Sequence, residues 1–335
     1  MKHLAFFSIP FAVLALGFWC AEAHPQEADE AVEEVDEGVE GVDEGVEGVD
    51  EGVEETPEQQ AAAAEAQAKK EEAQAIKAWF ELMERGEDYH GPSYPEELVL
   101  NYTLAYAMAP TDEYRADTLF HLAQGYESVS NRDAAIETYL RLLDEYPDSG
   151  HVPRVLFRLG DVHATYTLLP PEMDPEEVRG LLEGKFGPEF GMPYFEQGAA
   201  SATPLNRWVM RCHSERVGMY ARLGQGKDTY LPILYALARL EPDAVGAEDV
   251  AYVGPYQRMK NPEVTPEQRI DEARMYVTSM RDHVRENLVR GAMCPLQVEQ
   301  RIANLEKLIA DFAGTELEVM AREKLDEVRA AQEQP

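Results

Sequence analysis

The chain has 335 residues, with 30 Lys and Arg against 64 Asp and Glu, for a formal net charge of −34. That balance argues against nucleic acid as a partner, because binding phosphates takes clustered Lys and Arg. It disfavours direct binding to anionic membrane surfaces for the same reason.

Residues 1–23 read as a secretory signal. Lys2 and His3 give a basic start, Leu4 to Trp19 an apolar core, and Ala21-Glu22-Ala23 a small-x-small cleavage site. The apolar run is short for a membrane span. Cleavage near Ala23 implies a periplasmic or secreted chain. The alternative is an outer-membrane lipoprotein anchored through Cys20, although Trp19 is large for the residue before a lipidated cysteine.

Residues 24–56 form an acidic tract built on Val-Asp-Glu-Gly-Val-Glu-Gly repeats from Val35. Residues 24–58 hold 16 Asp or Glu and no Lys or Arg, which leaves −18 for residues 59–335. Glycine costs about 1 kcal/mol in a helix interior and adjacent acids repel, so the tract is expected to be disordered. The turn spacing of a calcium loop is absent from it.

A lead-in helix is expected over 57–86. Thr56-Pro57-Glu58-Gln59 is a capping box with proline at the first helical position. Its apolar face forms late, at Ile76, Trp79, Phe80 and Met83, and Gly86 reads as its stop. Ser93-x-x-Glu96 caps the next helix, which ends in proline at 110.

Residues 93–169 carry the strongest signal. From Ala116, Leu119, Leu122, Ala123 and Tyr126 share one helix face. Residues 130–133 make a turn, and a second helix carries Ala135, Ile136, Tyr139, Leu142 and Leu143 before Pro147 ends it. Residues 156–166 then align with 119–129 at an offset of 37, matching Leu156, Phe157, Leu159 and Gly160 to Leu119, Phe120, Leu122 and Ala123. This pattern resembles the tetratricopeptide repeat (TPR), a helix–turn–helix unit of about 34 residues. Its joined signature is similar to repeats of periplasmic envelope proteins of the β-barrel-assembly and Tol-Pal types. The resemblance implies an all-α helical-hairpin solenoid with extra helices, following the acidic tract.

Residues 170–265 are the least regular part, rich in proline and glycine. Asp174-Pro175-Glu176-Glu177 and Thr203-Pro204 read as helix starts, 223–226 as a turn between helices, and 252–264 as a loop. Residues 266–331 read as C-terminal helices. Thr265-Pro266-Glu267-Gln268 caps the first, and 301–325 parallels the repeat with Ala313 in place of its proline. In an oxidising compartment Cys212 and Cys294 could form one disulfide, the alternative being two buried thiols.

No phosphate loop, His-Glu-x-x-His, paired Cys-x-x-Cys or Gly-x-Ser-x-Gly is present, so no catalytic residue, cofactor or metal is assigned. Cys212-His213 is the one adjacent pair with nucleophilic potential, and neighbours on a helix point apart. In TPR units the concave groove is lined by the first helix of each pair. Carried onto this sequence, those places are Asp117, Phe120, Gln124 and Glu127, then Arg154, Phe157, Asp161 and Ala164. Phe120 and Phe157 coincide and would form an aromatic ladder for a peptide. With Arg154 the one cation of that set, a two-carboxylate clamp is disfavoured. The resemblance thus implies an exported, non-enzymatic scaffold or adaptor that binds a protein. The alternatives are a structural component of an envelope assembly, or an enzyme with a site in the middle region.

Overall fold

A computed structural model describes residues 56–89, 95–164 and 187–333. The signal, the acidic tract, the Ser93 cap and the helix start at Asp174 lie outside the described residues. The chain divides at Gln67/Ala68, and the packing below is that of the part from Ala68 onward.

Among the described residues all regular structure is helical: α1 (Pro57–Asp88), α2 (Pro95–Met108), α3 (Asp112–Ser128), α4 (Arg132–Glu145), α5 (Val152–Ala164), α6 (Pro188–Ala200), α7 (Arg207–Arg222), α8 (Lys227–Ala238), α9 (Pro255–Lys260), α10 (Pro266–Met293), α11 (Val298–Asp311) and α12 (Glu316–Glu333), with two 3₁₀ turns between α8 and α9. None of these helices is long and apolar enough to cross a membrane.

The helix ends follow from local hydrogen bonding. Thr56 and Gln59 cap α1 reciprocally, the Gln59 N–H donating to Thr56 Oγ1 at 3.3 Å and the Thr56 N–H to Gln59 Oε1 at 2.9 Å. Thr265 and Gln268 do the same for α10. Asn131 caps α4 by accepting from the Ala134 N–H, and the preceding Ser130 takes φ +60° to turn the chain. Gly314, at φ +82°, makes the turn between α11 and α12.

Three sequence expectations are corrected. Gly86 does not stop α1, which runs to Asp88; the glycine is instead where the Tyr102 ring lies against the helix, 2.7 Å from where a Cβ would stand. The helix expected at Thr203-Pro204 begins at Arg207, because Asn206 accepts from the Trp208 N–H at 3.0 Å and is the stronger cap. The loop expected over 252–264 contains α9, opened by Pro255.

Packing joins each helix mainly to its neighbours in sequence. Leu119, Phe120 and Ala123 of α3, Tyr139 and Leu142 of α4, and Val155 and Leu159 of α5 form one core. Trp79 and Met83 of α1 join Leu98, Tyr102 and Ala105 of α2, Leu122 of α3 and Tyr256 of α9. The Trp79 indole N–H also donates to Thr118 Oγ1 at 2.8 Å. Phe157 and Ala164 of α5 meet Met192 and Phe195 of α6 and Trp208, Cys212 and Tyr220 of α7. The C-terminal core gathers Leu237 of α8, Val277, Met280, Val284 and Leu288 of α10, Leu305 and Leu308 of α11 and Leu325 of α12.

The expected disulfide is not formed. Cys212 is sealed in the core of α5, α6 and α7, its Sγ against Gly198, while Cys294 is exposed at the end of α10. Both are free thiols. Burial pushes the Cys212 thiol up to about 12, away from the reactive thiolate form.

Two glycines test this packing in opposite directions. A Cβ on Gly160 of α5 would sit 2.6 Å from the Phe195 ring, whereas one on Gly218 of α7 meets nothing within 4 Å. Gly160→Ala is expected to cost about 1–3 kcal/mol by overpacking. Gly218→Ala is expected to gain up to about 1 kcal/mol of helix propensity. Urea unfolding midpoints of the two variants should therefore shift apart.

Candidate protein-binding groove

The residues expected to line a groove lie on two neighbouring helices, Asp117, Phe120, Gln124 and Glu127 on α3 and Arg154, Phe157, Asp161 and Ala164 on α5. The open aromatic ladder is overturned. Phe120 is 0% exposed and Phe157 3%. Other parts of the same chain cover both rings.

His151 and Arg154 lie on the Phe120 ring, and the segment 250–260 covers Asp117 one turn earlier on α3. Asp117 is 0% exposed. Its Oδ2 accepts the Tyr256 N–H at 2.7 Å, and its Oδ1 lies 2.9 Å from His151 Nε2 and 3.7 Å from His121 Nε2. Gly254 passes so close that a Cβ there would overlap Asp117 Oδ1. The Tyr252 ring lies on Gly150 and meets the His151 ring edge-on at 4.8 Å. His151 in turn stacks on Phe120 at 4.5 Å with 8° between the planes.

Two acids extend the contact outward. Glu113 accepts from the Tyr252 hydroxyl at 2.7 Å and from Arg258 at 2.8 Å. Glu87 accepts from the Tyr256 hydroxyl and from Lys260 Nζ at 2.7 Å.

Burial alone would raise the Asp117 carboxyl. The His151 hydrogen bond, the neighbouring His121 and the Tyr256 N–H outweigh it and hold the group below the usual carboxylate range. Burial also works against Glu87 and Glu113, and Lys260 with Tyr256, and Arg258 with Tyr252, hold these two low.

Over α5 the cover is α7. The Trp208 ring packs 5.5 Å from Phe157, and the Arg211 guanidinium lies 4.4 Å over the other ring. Arg154 stacks between Phe120, at 4.5 Å, and Trp208, at 4.9 Å. Arg207 lies 4.6 Å and Arg211 5.2 Å from the same indole. Arg154 is thus not the lone cation of this face. Three guanidinium groups surround Trp208, each with an aromatic face beneath it. Glu127 is buried and takes the Arg158 guanidinium as a fork, and Arg158 Nη1 also reaches Asp161 at 3.4 Å. Gln124, Arg154 and Asp161 remain half-buried, the polar places of the set that solvent still reaches.

The sequence reading missed His151, Trp208, Arg211, Tyr252, Gly254 and Tyr256. The Gly254-Pro255-Tyr256 punctuation was visible, but it carried no signal of which surface it meets. Among the described residues no group of three or more His, Cys, Asp or Glu is arranged to hold a metal ion. No protein-family model matches the chain, and no curated protein matches its sequence.

The buried histidine makes the face acid-sensitive. Burial lowers His121 to about 4, against about 6.5 in an unfolded chain. Between those values the unfolded chain takes up a proton that the fold refuses. Stability is therefore full above about pH 6.5 and falls as pH drops toward 4, by about 3 kcal/mol from this group. The low Asp117 carboxyl adds its own loss only below about pH 4. Denaturation midpoints should fall across that window, and His121→Gln should flatten the fall. An unchanged slope in the variant would place the sensitivity elsewhere.

Proposed function

We propose that the chain is an exported, non-enzymatic scaffold or adaptor of TPR-like architecture that holds a protein partner. The observation that carries this reading is the pairing of sequence-adjacent helices through small residues at matching places. Ala123, buried between α3 and α4, and Gly160, against which Phe195 of α6 packs, occupy equivalent positions of the two repeat units. That is the packing expected of stacked helical hairpins, which build extended binding surfaces. Gln124 and Asp161 are solvent-reached groove places, one on each helix. We expect affinity capture from an envelope extract to retain a partner on the wild-type chain and to lose it on Gln124→Arg/Asp161→Arg. Retention by the double variant would remove the groove assignment.

A second reading, a structural component of an envelope assembly, is favoured by α2. This helix is apolar nearly all round, and Leu100, Leu104 and Met108, one row at i, i+4 and i+8, are 57%, 44% and 45% exposed. If the row packs in an assembly, Leu104→Lys should disperse that assembly on sedimentation of the extract, with the helical circular dichroism unchanged. An unaltered profile would leave the adaptor reading alone.

A further inference from the structure

The contact between segment 250–260 and the face of α1 and α3 has the chemistry of a protein holding a peptide. Packing supplies one part of it, the Tyr256 ring among α1, α2 and α3. In the other part, carboxylates of the face take hydrogen bonds from the segment's backbone N–H, its two phenol hydroxyls and its two cations. One residue, Tyr256, is fully buried and acts as the anchor. One position, Gly254, admits no side chain because Asp117 is already there. The outer ion pairs, Arg258 with Glu113 and Lys260 with Glu87, have both partners 37–46% exposed. Pairs of that kind are worth little each and exchange readily.

The segment is also built to leave without unfolding its neighbours. It enters through residues 251–254, which belong to no helix, contains only the six residues of α9, and exits through a turn at 261–264 before the independently capped α10. The face it would uncover stays in place, because α3 is held from its other sides by α2 and α4.

We propose that this face is a recognition site for a short segment of the type aromatic-x-Gly-Pro-aromatic-x-basic that enters without helix and turns helical at its proline. The chain's own Tyr252–Arg258 is its resident ligand, and a partner segment of the same chemistry takes its place. The inference rests on the adaptor reading and names the kind of segment the adaptor receives. The acids Glu87, Glu113 and Asp117 select for the donors and the cation, and Gly254 and Tyr256 define the shape. Tethering gives the resident segment an effective concentration of about millimolar. A free segment of equal intrinsic affinity at micromolar concentration therefore loses by about a thousandfold. Binding becomes measurable once the resident segment is weakened.

The test uses a fluorescent peptide spanning residues 250–260, titrated into the full chain by anisotropy. Gly254→Val should loosen the resident segment and bind the peptide at least ten-fold more tightly than wild type. In that background Glu87→Gln/Glu113→Gln should weaken binding several-fold, as should a peptide carrying Tyr256→Ala. The proposal is overturned if the folded Gly254→Val chain binds no more tightly than wild type, or if those two changes have no effect. Should Gly254→Val fail to fold, hydrogen exchange on the wild-type chain decides. Amides 252–258 should exchange through a local opening while α3 stays protected, and equal protection of the two overturns the proposal. Loss of partner capture on Gln124→Arg/Asp161→Arg is read separately, so either result can fail without the other.

Discussion

A carboxylate out of reach of water has to be satisfied by the protein around it, and Asp117 imposes that demand on this fold. It sits on α3, where its burial draws groups from three parts of the chain to one place. Three partners answer it: an imidazole from the turn before α5, a second imidazole one turn along α3, and a backbone N–H from 139 residues away. Two of these, from His151 and the Tyr256 N–H, are hydrogen bonds, and removing either would leave a charge buried with too few donors, which costs more than the hydrogen bond itself is worth. The closeness of Gly254, the stacking of His151 on Phe120 and the burial of Tyr256 all follow from getting those donors to one side chain.

The rest of the groove face obeys a related rule with the opposite sign. Three guanidinium groups converge where Phe120, Phe157 and Trp208 meet, in a chain whose net charge is strongly negative. Arginine tolerates this crowding because its flat, weakly hydrated head can lie on a ring face. The two halves of the surface therefore differ in kind. One is a set of acceptors filled by donors, and the other is a set of aromatic faces roofed by cations.

The helices were legible because their information is local. Apolar residues three and four apart, the caps at Thr56 and Thr265, the Asn131 turn and the small residues at 123 and 160 each state their role within a few residues. The surface was not legible because its information is distant. Nothing within α3 says that Asp117 will be buried, since its partners His151 and Tyr256 lie far along the chain. Phe120 reads equally well as groove or core. The rings and heads that close on it, His151 and Arg154, and its place in the α3–α5 core decide it. Residues 252–264 looked like a loop because Gly254, Pro255 and Pro262 punctuate them, and the first two turn out to set the start of α9 and its closeness to α3. Cys212 and Cys294 show the remaining limit, since composition and compartment argue for a bond that only the position of each thiol in the fold can grant.

The placement of the indoles has a spectroscopic consequence. Trp79 sits in an apolar site edge-on to Tyr114 and Tyr256, and Trp208 sits amid charged groups between α5 and α7. The two rings occupy different dielectric surroundings and touch different covers of the same face. Of the chain's three tryptophans these two lie among the described residues, and their ultraviolet emission follows the 250–260 segment through Trp79 and α7 through Trp208, with no dye attached to the chain.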